Sequence, residues 1–165
     1  YRWLKEEMGL PIEQTEAAVV SLLNASDFAA RHPGASHHLR EAFALLWSDR
    51  TDDQTISEIG DHLRKSLMDI TADLPSDNSG GVERPIDRLE AIAQSKEKNL
   101  GSREMKVLGS LVQLAADVLS LDHRLNHIRD ETDKGLPLRT WDEMRRAAFV
   151  TALACYELDL ALAGR

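Results

Sequence analysis

Hydrophobic residues recur along this chain at the three- and four-residue spacing of amphipathic helices. The clearest example follows Asp53, where a stripe is formed by Ile56, Ile59, Leu63, Leu67 and Ile70. Because residues at this spacing share one helix face, the segment predicts a helix that packs against a partner along the stripe. No segment shows the sustained alternation of a half-buried strand, so we predict an all-α fold.

The last segment, Thr140–Arg165, predicts a helix that is apolar on nearly all sides. Thr140 and Glu143 have the capping-box spacing that begins a helix. Such a helix is expected to be buried, since it has no polar face to turn to solvent. We predict that it packs against a long helix over Ser102–Thr132, which has its own small residues at Ala115 and Ala116. The small face of the last helix consists of Ala147, Ala148, Thr151, Ala154 and Cys155.

Proline, glycine and polar clusters divide the rest of the chain into further helices. We predict one domain, 1–165: an antiparallel bundle of five to six helices with the long C-terminal pair at its centre. The polar segment 72–84 is predicted to be a flexible loop. The other predicted features are a first helix from Pro11, a loop over Arg31–Ala35, a second helix with Ser36 as its N-cap, a third with Thr51 as its N-cap in a capping box with Gln54, an antiparallel hairpin over Leu39–Ile70, and a fourth helix from Pro85.

Composition narrows the classes of function. Of the 165 residues, 42% are hydrophobic and 29% charged, as in an ordinary globular chain, and the net charge is −8. The acidic balance argues against broad nucleic-acid binding. The single cysteine, Cys155, excludes an internal disulfide and fits a reducing cytoplasm, and no apolar run is long enough to cross a membrane. We therefore expect a cytoplasmic protein without a membrane partner.

Histidines near the Pro33-Gly34 pair are the first candidate site. Arg31 precedes His37 by six positions and His38 by seven. An arginine that neutralises a phosphodiester, beside a histidine that moves the proton of a 2′-hydroxyl, would form a ribonuclease site. The alternative interpretation is a surface loop followed by a helix start.

A second candidate site lies near the end of the long predicted helix. His123 and His127 are spaced i,i+4 and project from one helix face, as metal ligands often do. The alternative is a solvated helix end, because Arg124 and Arg129 would repel a cation and no third ligand is evident. No phosphate-binding loop or zinc-finger spacing occurs, so we expect no cofactor. Three tryptophans near predicted helix ends are interpreted as core-closing aromatics: Trp3, Trp47 and Trp141.

Two segments resemble a group of uncharacterised all-helical bacterial proteins. They are His38–Phe43 with Ile56–Leu67, and Thr140–Ala152 with Tyr156–Asp159. The resemblance implies a helical fold and a bacterial source, and it implies no activity, because none is assigned to that group.

The chain is also loosely similar to HEPN domains, helical bundles of bacterial toxin–antitoxin and antiphage systems. Their ribonuclease members carry an arginine followed, after four to six residues, by a histidine near a helix start, and Arg31 with His37 or His38 matches that spacing. This similarity implies a metal-independent ribonuclease. From the apolar last helix and the acidic composition, our leading hypothesis is instead a non-catalytic helical module for protein interaction or self-association. The expected setting is a defence or toxin–antitoxin system.

Overall fold

The computed structural model describes residues 14, 17–21, 24, 27–48, 50, 52–74, 85–96, 101–126 and 141–162. Within these ranges the chain is helical and contains no strand, which confirms the all-α prediction. The described residues of the predicted helix from Pro11, which are 14, 17–21 and 24, are helical. The predicted loop 72–84 lies mostly outside the described residues. The helices are α1 (Phe28–Arg31), α2 (Pro33–Leu46), α3 (Asp53–Asp73), α4 (Pro85–Lys96), α5 (Ser102–Asn126) and α6 (Trp141–Leu162).

Helix α3 carries the stripe that the sequence predicts. Every residue from Ile56 to Ile70 on that stripe is at most 5% exposed. The helix packs against α2, α4, α5 and α6, with α2 as its most extensive neighbour, as the hairpin prediction requires. The apolar faces of α4 and α5 that cover it were also predicted, and their buried residues are Leu89, Ile92 and Ala93 on α4, and Leu108, Val112, Ala115 and Val118 on α5.

The start of α2 differs from the prediction. The loop expected over Arg31–Ala35 is wrong, because α2 begins at Pro33 and only His32 separates it from α1. Proline suits this place, since the first helical residue has no intrahelical use for its N–H. Gly34 serves packing instead of a turn: a Cβ added there would lie 2.5 Å from Oδ2 of Asp69 on α3. The glycine therefore leaves room for the carboxylate of Asp69 against the first turn of α2.

Both ends of α3 are held by side chains. The N-cap is Asp52, one residue later than predicted, and its carboxylate accepts from the backbone N–H of Thr55 at 3.0 Å and from the Thr55 hydroxyl at 3.1 Å. At the other end α3 continues through Ala72 and Asp73, so the helix extends into the predicted loop. Arg88 of α4 donates to the carbonyl oxygens of the last turn, which is the favourable end of the helix for a cation.

The small face of α6 is buried, as predicted. Ala147, Ala148, Ala154 and Cys155 are at most 1% exposed, and α6 packs against α5, α3 and α2. The Cys155 sulfur lies 3.8 Å from the Ser66 hydroxyl of α3, so the small face meets α3 as well as α5. Among the described residues, no helix combines the length and the apolarity that a membrane crossing requires.

Candidate functional site

Arg31 forms an ion pair with a carboxylate of the last helix. The side chain leaves the end of α1, and its Nε donates to Oδ1 of Asp159 at 2.9 Å while Nη2 donates to Oδ2. A planar guanidinium matches a carboxylate in this two-point arrangement, which is the strong form of the interaction. Asp159 has no exposed side-chain surface, whereas the Arg31 side chain is 31% exposed. Asp27 lies 3.7 Å from Nη1 on the outer side and is 78% exposed.

His32 completes this group from the single residue between α1 and α2. Its Nε2 lies 3.0 Å from Oδ1 of Asp159, and its Nδ1 lies 3.3 Å from Oδ2 of Asp73 at the end of α3. Both ring nitrogens of His32 thus face a carboxylate oxygen. Arg31, His32, Asp73 and Asp159 are called the Arg31–Asp159 cluster below. It joins α1, α3 and α6 at one point.

The electrostatics of the cluster favour the ionised forms of Asp159 and Arg31. Burial by itself would raise the pKa of Asp159, but the hydrogen bonds and charges of Arg31 and His32 outweigh it and lower the pKa overall. The hydrogen bond to Asp159 raises the pKa of Arg31, against the opposing effect of burial. The carboxylate is therefore charged at neutral pH although water does not reach it.

Asp159 is the residue that sequence reasoning missed. It lies four residues after Cys155 and eight after Thr151, so it shares their buried helix face. A carboxylate at such a position requires a positively charged partner, because an unpaired buried charge is costly. The sequence therefore indicates that Asp159 has a positively charged partner. In the structure Arg31 and His32 contact it.

The structure separates the predicted ribonuclease residues. Arg31 faces α6, whereas His37 is exposed and His38 packs toward α3. The Nδ1 atom of His38 lies 3.0 Å from Nδ1 of His62, and its Nε2 lies 3.7 Å from Oδ2 of Asp69. The ring of His37 packs against that of His38, with centroids 5.4 Å apart. His62 of α3 is thus part of a histidine pair, which is called the His38–His62 pair below.

Burial is the main influence on this pair. It lowers the pKa of His38, as do the charges of His37 and Lys65, while Asp69 and Asp61 act in the opposite direction. Burial and the neighbouring His38 likewise lower the pKa of His62. Both rings are therefore neutral at pH 7.

The predicted metal ligands cannot be placed as a site. His127 and the side chain of His123 lie outside the described residues. Within the described ranges, no group of three or more histidine, cysteine, aspartate or glutamate side chains is arranged to hold a metal ion.

The side chain of Trp47 lies on the surface of the protein. Trp47, at the end of α2, is 50% exposed, which corrects its interpretation as a core-closing residue. The guanidinium of Arg145, near the start of α6, lies 5.5 Å from the centroid of the Trp47 ring, within the range of a cation–π contact. Trp47 and Arg145 are called the Trp47–Arg145 surface below. Trp3 and the side chain of Trp141 lie outside the described residues.

Comparisons with models of protein families, with curated proteins and with solved structures find no match to this chain.

Proposed function

We propose that this chain is a non-catalytic helical module that acts by binding a protein, either a second copy of itself or another protein. The observation that carries the proposal is the half-exposed ring of Trp47, held by Arg145. Leaving a large apolar ring in water forgoes the stabilisation that its burial would give. Tryptophan and arginine are also the residues enriched where binding energy concentrates in protein interfaces.

The contacts of the candidate catalytic residues support a structural role for them. A catalytic side chain must present its reactive atoms to a substrate. In the Arg31–Asp159 cluster, Arg31 donates to Asp159, and both ring nitrogens of His32 face carboxylates. Arg31 and His38 are thus engaged in contacts between helices, and His37 is the exposed member of the candidate set.

The direct test is the state of assembly of matched surface variants. We expect the wild-type protein to self-associate in size-exclusion chromatography with light scattering, or to retain a partner from its native host. Trp47→Ser should weaken that association. Val107→Ser, which also removes an exposed apolar side chain (61% exposed, on α5), should not.

Two results would contradict the proposal. One is a wild-type protein that stays monomeric and retains nothing from its host. The other is an equal loss of association in both serine variants, which would mean that general surface apolarity, and not the Trp47–Arg145 surface, drives association. Circular dichroism of both variants checks that the helices are intact.

A metal-independent ribonuclease is the alternative, and one observation favours it. Because His38 is neutral at pH 7, its imidazole has the protonation state of a general base. Cleavage would also require Arg31 to contact phosphate while it is bound to Asp159. The exposed His37 gives the clean test, since its removal leaves the helix contacts in place. The alternative expects RNA cleavage in the presence of a chelator that is lost in His37→Ala or His38→Ala, whereas the interaction module expects intact RNA throughout.

The finer architecture and the setting are also proposals. We propose an antiparallel bundle with α5 and α6 at its centre, supported by the contact between these helices and by the contact of each with α3. A bacterial cytoplasmic location and a role in defence or toxin–antitoxin systems are supported by the sequence resemblances alone.

A further inference from the structure

The His38–His62 pair links α2 to α3 through two nitrogen atoms of the same kind. The Nδ1 atoms are 3.0 Å apart and the ring centroids 5.2 Å apart. A hydrogen bond between two ring nitrogens needs a proton on one and a lone pair on the other. The pair is therefore held by a single proton between the two rings.

The position of Asp69 favours His62 as the donor. Its carboxylate lies 3.7 Å from Nε2 of His38 and can only accept, which favours a proton on that nitrogen of the neutral ring. Nδ1 of His38 is then the acceptor, and Nδ1–H of His62 is the donor. An added proton on Nε2 of His62 leaves this bond intact. A second added proton could bind only at Nδ1 of His38. The Nδ1–H groups of the two rings would then point at each other and repel.

We propose that the His38–His62 pair makes the α2–α3 hairpin acid-sensitive, because the folded protein accepts one added proton on the pair where the unfolded chain accepts two. This regulatory property is independent of the proposed binding function. Its consequence is that acidification loosens the packing between α2 and α3, the most extensive helix contact among the described residues.

The surrounding charges do not remove this restriction. Negative groups help the pair to hold a first proton, and positive groups oppose it, but none relieves the contact between two protonated Nδ1 atoms. Burial is the largest influence on both rings, and it lowers both pKa values, in agreement with the geometric argument. The charged and titratable groups that face the pair are His37 and Glu41 on α2, and Asp61, Lys65 and Asp69 on α3.

The expected effect follows from the difference in bound protons. Well below the ordinary histidine pKa of about 6.5, the unfolded chain binds about one proton more on these two residues than the folded chain does. The unfolding equilibrium constant should then rise by up to about tenfold for each unit of pH decrease. Above that pH both states are neutral at these residues, and the effect disappears.

Urea unfolding of matched variants at a series of pH values between about 5 and 8 tests the proposal. His62→Gln removes one titrating ring, and the oxygen of its side-chain amide can accept from Nδ1–H of a protonated His38. The folded and unfolded forms of this variant can then take up the same single proton at this position, so its unfolding constant should rise less on acidification than that of the wild type. His37→Gln removes an exposed ring beside the pair and should retain most of the wild-type dependence. Because the other histidines are common to the wild type and His62→Gln, the difference between their curves isolates the pair. Parallel curves for these two proteins would overturn the proposal.

Histidine ring NMR on the folded wild-type protein provides a second test that needs no variant. We expect the His38 and His62 resonances to report uptake of one proton by the pair before the protein unfolds. Two complete and independent titrations near the ordinary histidine pKa, in a protein that stays folded, would refute the inference.

Discussion

Replacing Asp159 by asparagine should be strongly destabilising, because it removes the charge on which the Arg31–Asp159 cluster depends. The wild-type carboxylate accepts two hydrogen bonds from Arg31 and faces the Nε2 atom of His32 at 3.0 Å. The amide of Asp159→Asn keeps the shape but has one oxygen, and its NH2 group would face donors.

The magnitude follows from the burial of the partners. Removing one member of a buried charged pair costs about 3–5 kcal/mol, and a hydrogen bond to a charged group contributes about 1.5–3 kcal/mol. Because the Arg31 side chain is 31% exposed, water can replace part of what it loses. We therefore expect Asp159→Asn to lower the free energy of unfolding by about 2–4 kcal/mol.

Urea denaturation at pH 7 measures this change as a lower midpoint with an unchanged slope. The matched control is Asp27→Asn, since Asp27 is the other carboxylate near Arg31 but is 78% exposed and 3.7 Å away. It should change the free energy of unfolding by less than about 0.5 kcal/mol. A loss below about 1 kcal/mol in Asp159→Asn, or equal losses in both variants, would refute the view that the buried pair stabilises the fold.

Three further perturbations test other parts of the structure. Gly109→Ala should raise the free energy of unfolding by about 0.5–1 kcal/mol, because alanine has the higher helix propensity and this exposed position has open space for its methyl group. Gly34→Ala should lack that gain because its methyl group meets Asp69, and thermal melts compare the two variants. Ala148→Leu should cost about 1–3 kcal/mol by overpacking a fully buried position, and unchanged stability would mean that the helix face is wrongly assigned. The pKa of Asp159 is lowered in the folded state, so its contribution to the free energy of unfolding should be complete above its unfolded pKa of about 3.9 and lost as the pH falls through the folded value. In an acid titration, the free energy of unfolding of Asp159→Asn should therefore decline less steeply below about pH 4 than that of the wild type.

The sequence predicts those parts of the fold that depend on repeated spacing. The stripe from Ile56 to Ile70 and the small face of α6 are buried as expected, because a helix that shows one apolar face to its neighbours has few other ways to pack. The prediction for the start of α2 was wrong because the Pro33-Gly34 pair is compatible with two different structures. The pair is typical of turns, but proline is also favoured in the first turn of a helix, and Gly34 is explained only by its tertiary contact with Asp69.

The site was less predictable because it depends on contacts between distant segments. The ribonuclease spacing pairs Arg31 with His37 or His38, whereas in the structure Arg31 binds Asp159 and His38 meets His62. Local spacing identifies residue types with chemical potential, but it does not tell which helix supplies their partners. Only the charge of Asp159 on an apolar face offered a sequence signal for the cluster.

The Arg31–Asp159 ion pair has a consequence for the kinetics of folding. Its members are 128 positions apart, so it closes about three-quarters of the 165-residue chain into one loop. Loop closure over this length has an entropic cost of about 4 kcal/mol, which local contacts must offset before the pair can form. We expect the pair to form after the folding transition state, and Asp159→Asn should then accelerate unfolding in stopped-flow experiments while leaving the refolding rate nearly unchanged. The cluster would thus form late in folding, and its main kinetic effect would be to slow unfolding.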